Sequence, residues 1–500
     1  MVTLKEWIAK QWAKRVHLNT LKWSSNAEKI QKDTLFQLIH KAKYTQFGKD
    51  HNFSKITSYE EFKQNVPIRD YEGLKGYIEQ IKSGNSDVLW PGKPLYFAKT
   101  SGTTSGAKYI PISKESIGNH IGSAKNAILQ YIYNTQDASF LKGKLIFLSG
   151  SPVLEKIAGI HTGRLSGISN HHVPGYLRTN QLPSYSTNCM EDWEAKVSKI
   201  ADETLHENMT LISGIPPWVQ MYFDVLSERT GKKISEIFPH FNLFIYGGVN
   251  FEPYRKKLED SIGRKVNSIE LFPASEGFFA YQDQLENKGL LLLCNENIFY
   301  EFIPLEEIGK ENPKRLMLEE VELGINYALI INSNAGLWGY NIGDTVKFVS
   351  KNPYRIVVSG RVKHYISAFG EHVIGEEVEF AMNEGLKSMD TQLIEFHVAP
   401  QVNPESGLPY HEWFVELNSP EMININDLAK KVDEALQSKN IYYKDLRVGG
   451  ILQEAKIRLV KGQSFIQYMH SQGKLGGQNK VPRLSNDRKI ADWMHQNQSF

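Results

Sequence analysis

The stretch Thr100-Ser101-Gly102-Thr103-Thr104-Ser105-Gly106-Ala107-Lys108 constrains this chain more than any other. An aromatic-apolar run, Leu95-Tyr96-Phe97-Ala98, precedes it and Tyr109-Ile110-Pro111-Ile112 follows it; both read as short strands. A loop so rich in Gly, Ser and Thr loses much chain entropy when ordered. It has few side chains to bury in return. Backbone N–H groups, hydroxyls and a lysine can instead wrap a polyphosphate. The stretch therefore points to ATP, with a plain flexible connection as the alternative. It is not a Walker P-loop, which needs G-x-x-x-x-G-K-[ST] with the lysine opening a helix. Here three residues separate Gly102 from Gly106, Ala107 precedes Lys108, and Tyr109 follows. The chain has no G-x-G, so the dinucleotide and kinase glycine fingerprints are missing too.

A length of 500 residues predicts roughly two to four domains. A net charge of +2 argues against a dedicated nucleic-acid binder. Cys189 and Cys294 are far apart, offer no metal or redox spacing, and suit a reducing compartment. The N-terminus lacks the apolar core of a signal peptide, and no run approaches the ~20 apolar residues of a membrane span. The expectation is a cytoplasmic enzyme, monomeric, with neither a membrane nor a nucleic-acid partner.

Residues 1–90 read mainly as helix. In the first, Trp7, Ile8, Trp12 and Val16 recur at helical spacing and predict the face packed on the body of the protein, a membrane-lying helix being the alternative. A second helix is predicted around Ala27 to Lys43. From 95 to about 350, apolar runs at 145–148, 243–246 and 327–331 alternate with helical stretches at 193–205 and 218–229. That alternation predicts an α/β domain with mixed and substantially parallel sheet. A smaller α+β unit follows, with helices at 374–386 and 425–437 and a strand at 411–417. The expected domains are 1–360 and 361–500, joined by a hinge.

Four further clusters carry candidate chemistry. Gly247-Gly248 closes an apolar strand, where a flat group can approach the backbone, or an ordinary strand-to-helix turn can form. Phe272-Pro273-Ala274-Ser275-Glu276 offers an aromatic face, a hydroxyl and a carboxylate able to hold Mg²⁺; alternatively Ser275 caps a helix with Glu276 in its first turn. Tyr340-Asn341-Ile342-Gly343-Asp344 puts a carboxylate after a glycine, fit for ribose hydroxyls or for a plain Gly-Asp turn. Ser359-Gly360-Arg361-Val362-Lys363 sits where the pattern changes, and reads as a hinge with a nucleotide-binding arginine or as a surface turn. The chain has no H-E-x-x-H and no G-x-S-x-G, and His171-His172 read as loop residues.

In that order these clusters resemble the motifs of the acyl-adenylate-forming superfamily. Thr100 to Lys108 is similar to its phosphate loop, Gly247-Gly248 to its adenine-strand glycines, and Phe272 to Glu276 to its aromatic-Gly-x-Thr-Glu motif. Tyr340 to Asp344 resembles its Tyr-Arg-x-Gly-Asp motif, and Gly360 to Lys363 its hinge. Pro273 stands where Gly is usual, and Asn341 where Arg is usual. Within the superfamily the chain looks most like the GH3 acyl acid–amido synthetases. Phe97 to Thr104, Val66-Pro67-Ile68-Arg69-Asp70-Tyr71-Glu72 and Gln478-Asn479-Lys480-Val481-Pro482-Arg483 carry that likeness.

The resemblance implies a two-step ligase. A carboxylic acid is adenylated with ATP, then an amino acid amine takes the acyl group and AMP leaves. It assigns Ser101, Gly102, Thr103, Thr104 and Lys108 to the phosphates, Gly247, Gly248, Phe272, Ser275 and Tyr340 to the nucleotide, and Asp344 and Arg361 to the ribose. Glu276 would hold Mg²⁺. Lys480, by itself an ordinary tail lysine, would bridge acyl carboxylate and α-phosphate. An acyl-CoA ligase of the same superfamily and a non-catalytic ATP or acyl-adenylate binder are the rival readings.

Overall fold

The computed structural model describes residues 3–100, 107–173, 175–248, 251–287, 289–308, 310–361, 365–366, 368–371, 373–472 and 481–497. Its centre is an eleven-stranded sheet. One end is parallel: Asn267–Ala274, Leu243–Gly247, Met209–Ser213, Lys144–Phe147 and Gln181–Leu182 run side by side in that order. Two of them, Lys144–Phe147 and Leu243–Gly247, are apolar runs the alternation predicted, the third expected run, 327–331, lying in the antiparallel half; helices Trp193–Thr204 and Pro216–Thr230 connect along the parallel strands. The other end is antiparallel, running outward from Gly277–Tyr281 through Leu290–Leu292, Tyr354–Arg361, Tyr340–Lys351 and Asn326–Ser333 to Ile298–Pro304. Alternation of helices and strands could not reveal that half, because consecutive strands joined by short turns leave no helical signal.

A four-stranded sheet orders Lys108–Ile112, Tyr96–Thr100, Ile160–Gly163 and Glu155–Ile157. Beyond Arg361, Leu393–Gln401, Tyr410–Leu417 and Lys456–Leu459 form a three-stranded sheet backed by helices Gly375–Leu386 and Ile425–Lys439. One apolar core lies under the antiparallel half and the N-terminal helices. A second runs from the parallel half into the C-terminal sheet.

Two local readings are corrected. The first helix, Leu4–Ser24, packs on helix Ile117–Thr135, but through Glu6, Ala13, Thr20 and Trp23. Of the expected core face, Val16 packs against the core, whereas Trp7, Ile8 and Trp12 are exposed. Apolar residues lie on both sides of this helix, so periodicity alone chose the wrong one. Secondly, His171 ends helix Leu165–His171 instead of lying in a loop; its Nε2 meets the Pro152 carbonyl at 2.7 Å, and His172 Nε2 meets the Tyr96 hydroxyl at 3.0 Å.

Helix Ile117–Thr135 buries His120, whose Nδ1 has no hydrogen-bond partner among the described residues. Burial pushes its pKa down from 6.5 to about 4. The folded state then favours the neutral ring, so stability is complete above pH 6.5 and is lost as pH falls toward 4. The loss is on the order of 1 kcal/mol per pH unit across that window. Urea unfolding midpoints of wild type and His120→Leu across this range test it: the variant should show the flatter acid decline, and parallel curves would remove His120 as the cause.

Candidate active site

The hydroxyl-rich loop springs from a β-hairpin. Tyr96–Thr100 pairs antiparallel with Lys108–Ile112, and Thr100 faces Lys108 at its mouth. Ser101, Gly102, Thr103 and Thr104 lie outside the described residues. At the mouth, the Lys108 ammonium sits over the Tyr71 ring, 5.8 Å from its centre. The Tyr71 hydroxyl accepts the Tyr109 N–H at 3.0 Å. Burial, chiefly, pushes the Tyr71 phenol up to about 12. Tyr71 opens helix Tyr71–Lys82, which Asp70 caps through the Gly73 N–H.

The segment before that helix docks on the strand that carries Tyr340. The Arg69 N–H donates to the Gly339 carbonyl at 2.9 Å, and the Asn341 N–H donates to the Arg69 carbonyl at 2.8 Å. A buried network holds the arrangement. Glu301, with no exposure, takes both Arg315 Nε and Nη2 at 2.8 Å, the Tyr59 hydroxyl at 2.9 Å and Asn332 Nδ2 at 2.9 Å. Arg315 Nη1 donates to the Val66 carbonyl at 2.6 Å, while Asn332 Oδ1 accepts the Gly339 N–H at 2.6 Å.

Tyr340 is buried, and its hydroxyl donates to Glu276 Oε1 at 3.4 Å. Burial first, then the Glu276 carboxylate, raise its pKa well above the ordinary phenol value. Two strands lie between them in the sheet, so the antiparallel half curls to bring them together. Glu276 does not begin a helix. Ala274 pairs with Gly277, which leaves Ser275 and Glu276 as the two-residue tip of a hairpin. Asn119 clamps that hairpin where its register shifts: its Nδ2 donates to the Phe278 carbonyl at 2.9 Å, and its Oδ1 accepts the Phe278 N–H at 2.7 Å. Phe272 packs edge-on to Phe279 and is only 8% exposed.

Gly343-Asp344 is likewise no turn. Ala328 pairs with Thr345 and Ile330 with Asn341, so Ile342 to Asp344 bulge out of the strand Tyr340–Lys351. Gly343 takes φ +87° there, and its N–H donates to Asn341 Oδ1 at 2.9 Å. Asn341, which stands where the motif has Arg, thus fixes the bulge. Asp344 pairs in register with Arg361 on Tyr354–Arg361. On the parallel side Gly247 faces Leu271, and a Cβ there would lie 2.4 Å from the Leu271 carbonyl oxygen. Gly248 follows at φ +84°.

Lys480 lies outside the described residues. The segment just after it is anchored: the Val398 N–H donates to the Arg483 carbonyl at 2.9 Å, and Arg483 pairs with Glu395 and Glu379. Next to the hairpin mouth the C-terminal part touches the large one. Arg164 pairs with Asp445 and stacks on Tyr442, whose hydroxyl reaches the Lys99 carbonyl at 3.5 Å.

Sequence reading alone missed Asn119, Glu301 and Arg315. Tyr71 lay in a quoted segment, Val66 to Glu72, to which no role was attached. None of the four sits in a glycine-rich or otherwise patterned stretch.

Solved structures share this fold. An acyl acid amido synthetase, AtGH3.15 in complex with 2,4-DB, superposes with a TM-score of 0.61 at 17% identity, covering 97% of this chain and 96% of that one. A 2-hydroxyisobutyryl-CoA ligase in complex with 2-HIB-AMP and CoA gives 0.58 at 14% identity, over 95% and 92%. The shared fold is that of a large N-terminal and a smaller C-terminal part. Residues 19–169 and 158–266 match the GH3 family N-terminal domain, 291–361 its central domain, and 376–489 its C-terminal domain. The chain belongs to the GH3 family. Among relatives, the jasmonoyl–L-amino acid synthetase JAR4 of Nicotiana attenuata is 23% identical over 390 residues, 65% of this chain and 67% of its own. The indole-3-acetic acid-amido synthetase GH3.3 of Arabidopsis thaliana is 22% identical over 547 residues, 92% and 89%. The chain is an enzyme of the ligase class.

Replacing Arg315 by Met would leave the Glu301 carboxylate buried without its cation. The expected loss is about 3–5 kcal/mol of stability. Chemical denaturation measures it, and a change under about 1 kcal/mol would show that the pair is not what holds the docked segment.

Proposed function

We propose that this enzyme adenylates a carboxylic acid with ATP and transfers the acyl group to the amine of an amino acid. The observation that carries the reading is the convergence of Tyr340 on Glu276 beside the Lys108–Tyr71 mouth of the hydroxyl-rich loop, in a member of the GH3 family. In the first step a carboxylate oxygen attacks the α-phosphorus and pyrophosphate leaves. Two anions meet there, so the site must place positive charge between them. Ser101, Gly102, Thr103, Thr104 and Lys108 are assigned to the phosphates. Gly247, Gly248, Phe272, Ser275 and Tyr340 are assigned to the nucleotide, and Asp344 with Arg361 to the ribose. The facing register of the last two supports that pairing. Lys480 bridges the two anions.

Glu276 fits Mg²⁺ in a restricted sense. Among the described residues no three His, Cys, Asp or Glu side chains form a metal cage. Mg²⁺ commonly uses one or two carboxylates plus substrate phosphates, and a carboxylate at a hairpin tip supplies the protein's share. Bound there, Mg²⁺ would neutralise charge on the phosphates. Tyr340 orients the carboxylate.

In the second step the amine attacks the acyl carbon, AMP departs and the amine loses a proton. We assign residues 361–500 to a mobile unit that brings Lys480 in for the first step and withdraws it for the second. The Arg164–Asp445 pair and the Tyr442 contact would hold one of its positions.

Glu276→Gln and Lys480→Ala should each lower acid-dependent ATP–pyrophosphate exchange by about 100-fold or more while leaving the protein folded. Exchange at the wild-type rate in either variant removes that residue from the reaction. The amide reading itself is tested by incubating the enzyme with ATP, Mg²⁺, a panel of carboxylic acids, amino acids and coenzyme A. An amide with AMP supports it, whereas a thioester alone makes the enzyme a CoA ligase. Arg164→Ala removes an exposed pair worth up to about 1 kcal/mol, so the ratio of exchange to amide formation should shift by about two- to fivefold. An unchanged ratio excludes Arg164 from domain positioning.

A further inference from the structure

The first helix, Leu4–Ser24, turns a second apolar face to solvent. Leu4, Trp7, Ile8, Trp12, Leu18 and Leu21 are exposed by between 41% (Trp12) and 72% (Leu4). The same side carries the exposed bases Lys14, Arg15 and Lys22, with Lys5 exposed at the helix's first turn. Glu6 is the helix's one acid, and it is buried, bonded to Thr3 and 3.2 Å from Lys142. The outward face therefore holds three cations and no carboxylate, in a chain whose whole net charge is +2.

We propose that this helix docks the enzyme on an anionic lipid surface, lying in the headgroup plane. Three features select that occupant. A second copy of the chain would oppose cation to cation. A protein partner is disfavoured by the position of Lys14 and Arg15, which stand between Trp7–Ile8 and Leu18 in the middle of the patch; protein interfaces are depleted of charge at their cores. At a bilayer the same order is favourable, because Trp, Leu and Ile enter the acyl boundary while Lys and Arg extend along it to the phosphates. The opposite face, packed on helix Ile117–Thr135, stays in place, so docking needs no unfolding. The absence of any helix able to cross a membrane among the described residues does not bear on a helix that lies flat. The expectation of no membrane partner set a membrane-lying first helix aside in favour of a packed one, and the exposed second face brings that alternative back. This inference does not depend on the reaction proposed above.

Full-length enzyme should co-sediment with vesicles of roughly three parts phosphatidylcholine to one part phosphatidylglycerol, should not with phosphatidylcholine alone, and should release as salt is raised. Lys14→Glu with Arg15→Glu, and separately Trp7→Ser with Ile8→Ser, should each weaken binding by about tenfold or more. Both variants should keep wild-type circular dichroism and thermal midpoints, since neither touches the packed face. No binding to anionic vesicles, or binding that both variants retain, overturns the proposal. So does light scattering that shows a dimer which Trp7→Ser and Ile8→Ser dissolve.

Discussion

Glu301 and Arg315 form a fully buried, two-bonded ion pair on which the placement of the site depends. Such a pair contributes little net stability compared with an apolar pair of the same volume, because two charges must leave water. Its value here is positional. Beyond the two bonds between them, the pair reaches three other segments: Oε1 accepts the Tyr59 hydroxyl, Nη1 donates to the Val66 carbonyl, and Oε2 accepts from Asn332, which in turn holds Gly339. A network in a low-dielectric interior tolerates few arrangements, since any missing bond leaves a buried polar group uncompensated. The chain between Tyr59 and Tyr71 is thereby fixed against the strand Tyr340–Lys351.

Around that fixed contact the site is made of irregularities in regular strands. Glu276 occupies a two-residue hairpin tip, Asp344 the end of a bulge, and Lys108 the mouth of a hairpin. Each device presents a side chain or backbone group at a place the pleat would not reach. Asn119 shows what this requires elsewhere. The register shift at Phe278 removes its backbone groups from the ladder, and a buried amide takes both. Hydrogen-bond satisfaction is thus shared between the functional hairpin and a helix that has no chemical part.

The first helix and the C-terminal contact show the same division at the surface. The helix's inner face is small and specific, whereas its outer face is large, apolar and basic, and is left largely exposed, with Lys125 over the Trp12 ring at its margin. The Arg164–Asp445 pair is exposed and is worth little, which suits the proposed movement of residues 361–500.

The candidate site was legible where its residues fall in contiguous stretches. Thr100 to Lys108 carries glycines, hydroxyls and a lysine, Phe272 to Glu276 an aromatic ring, a hydroxyl and a carboxylate, and Tyr340 to Asp344 a phenol, a glycine and a carboxylate, while two of the three apolar runs became parallel strands. Sequence by itself determined which residues have chemistry to offer, and the family to which the chain belongs. Only the tertiary structure decided that Tyr340 meets Glu276, that Asn341 fixes the bulge before Asp344, that Asn119 clamps the hairpin, and which face of Leu4–Ser24 is buried. The physical reason is that these depend on sheet curvature, register shifts and competition between two apolar faces. All three are set by contacts between residues far apart in the chain, and leave no local period to read.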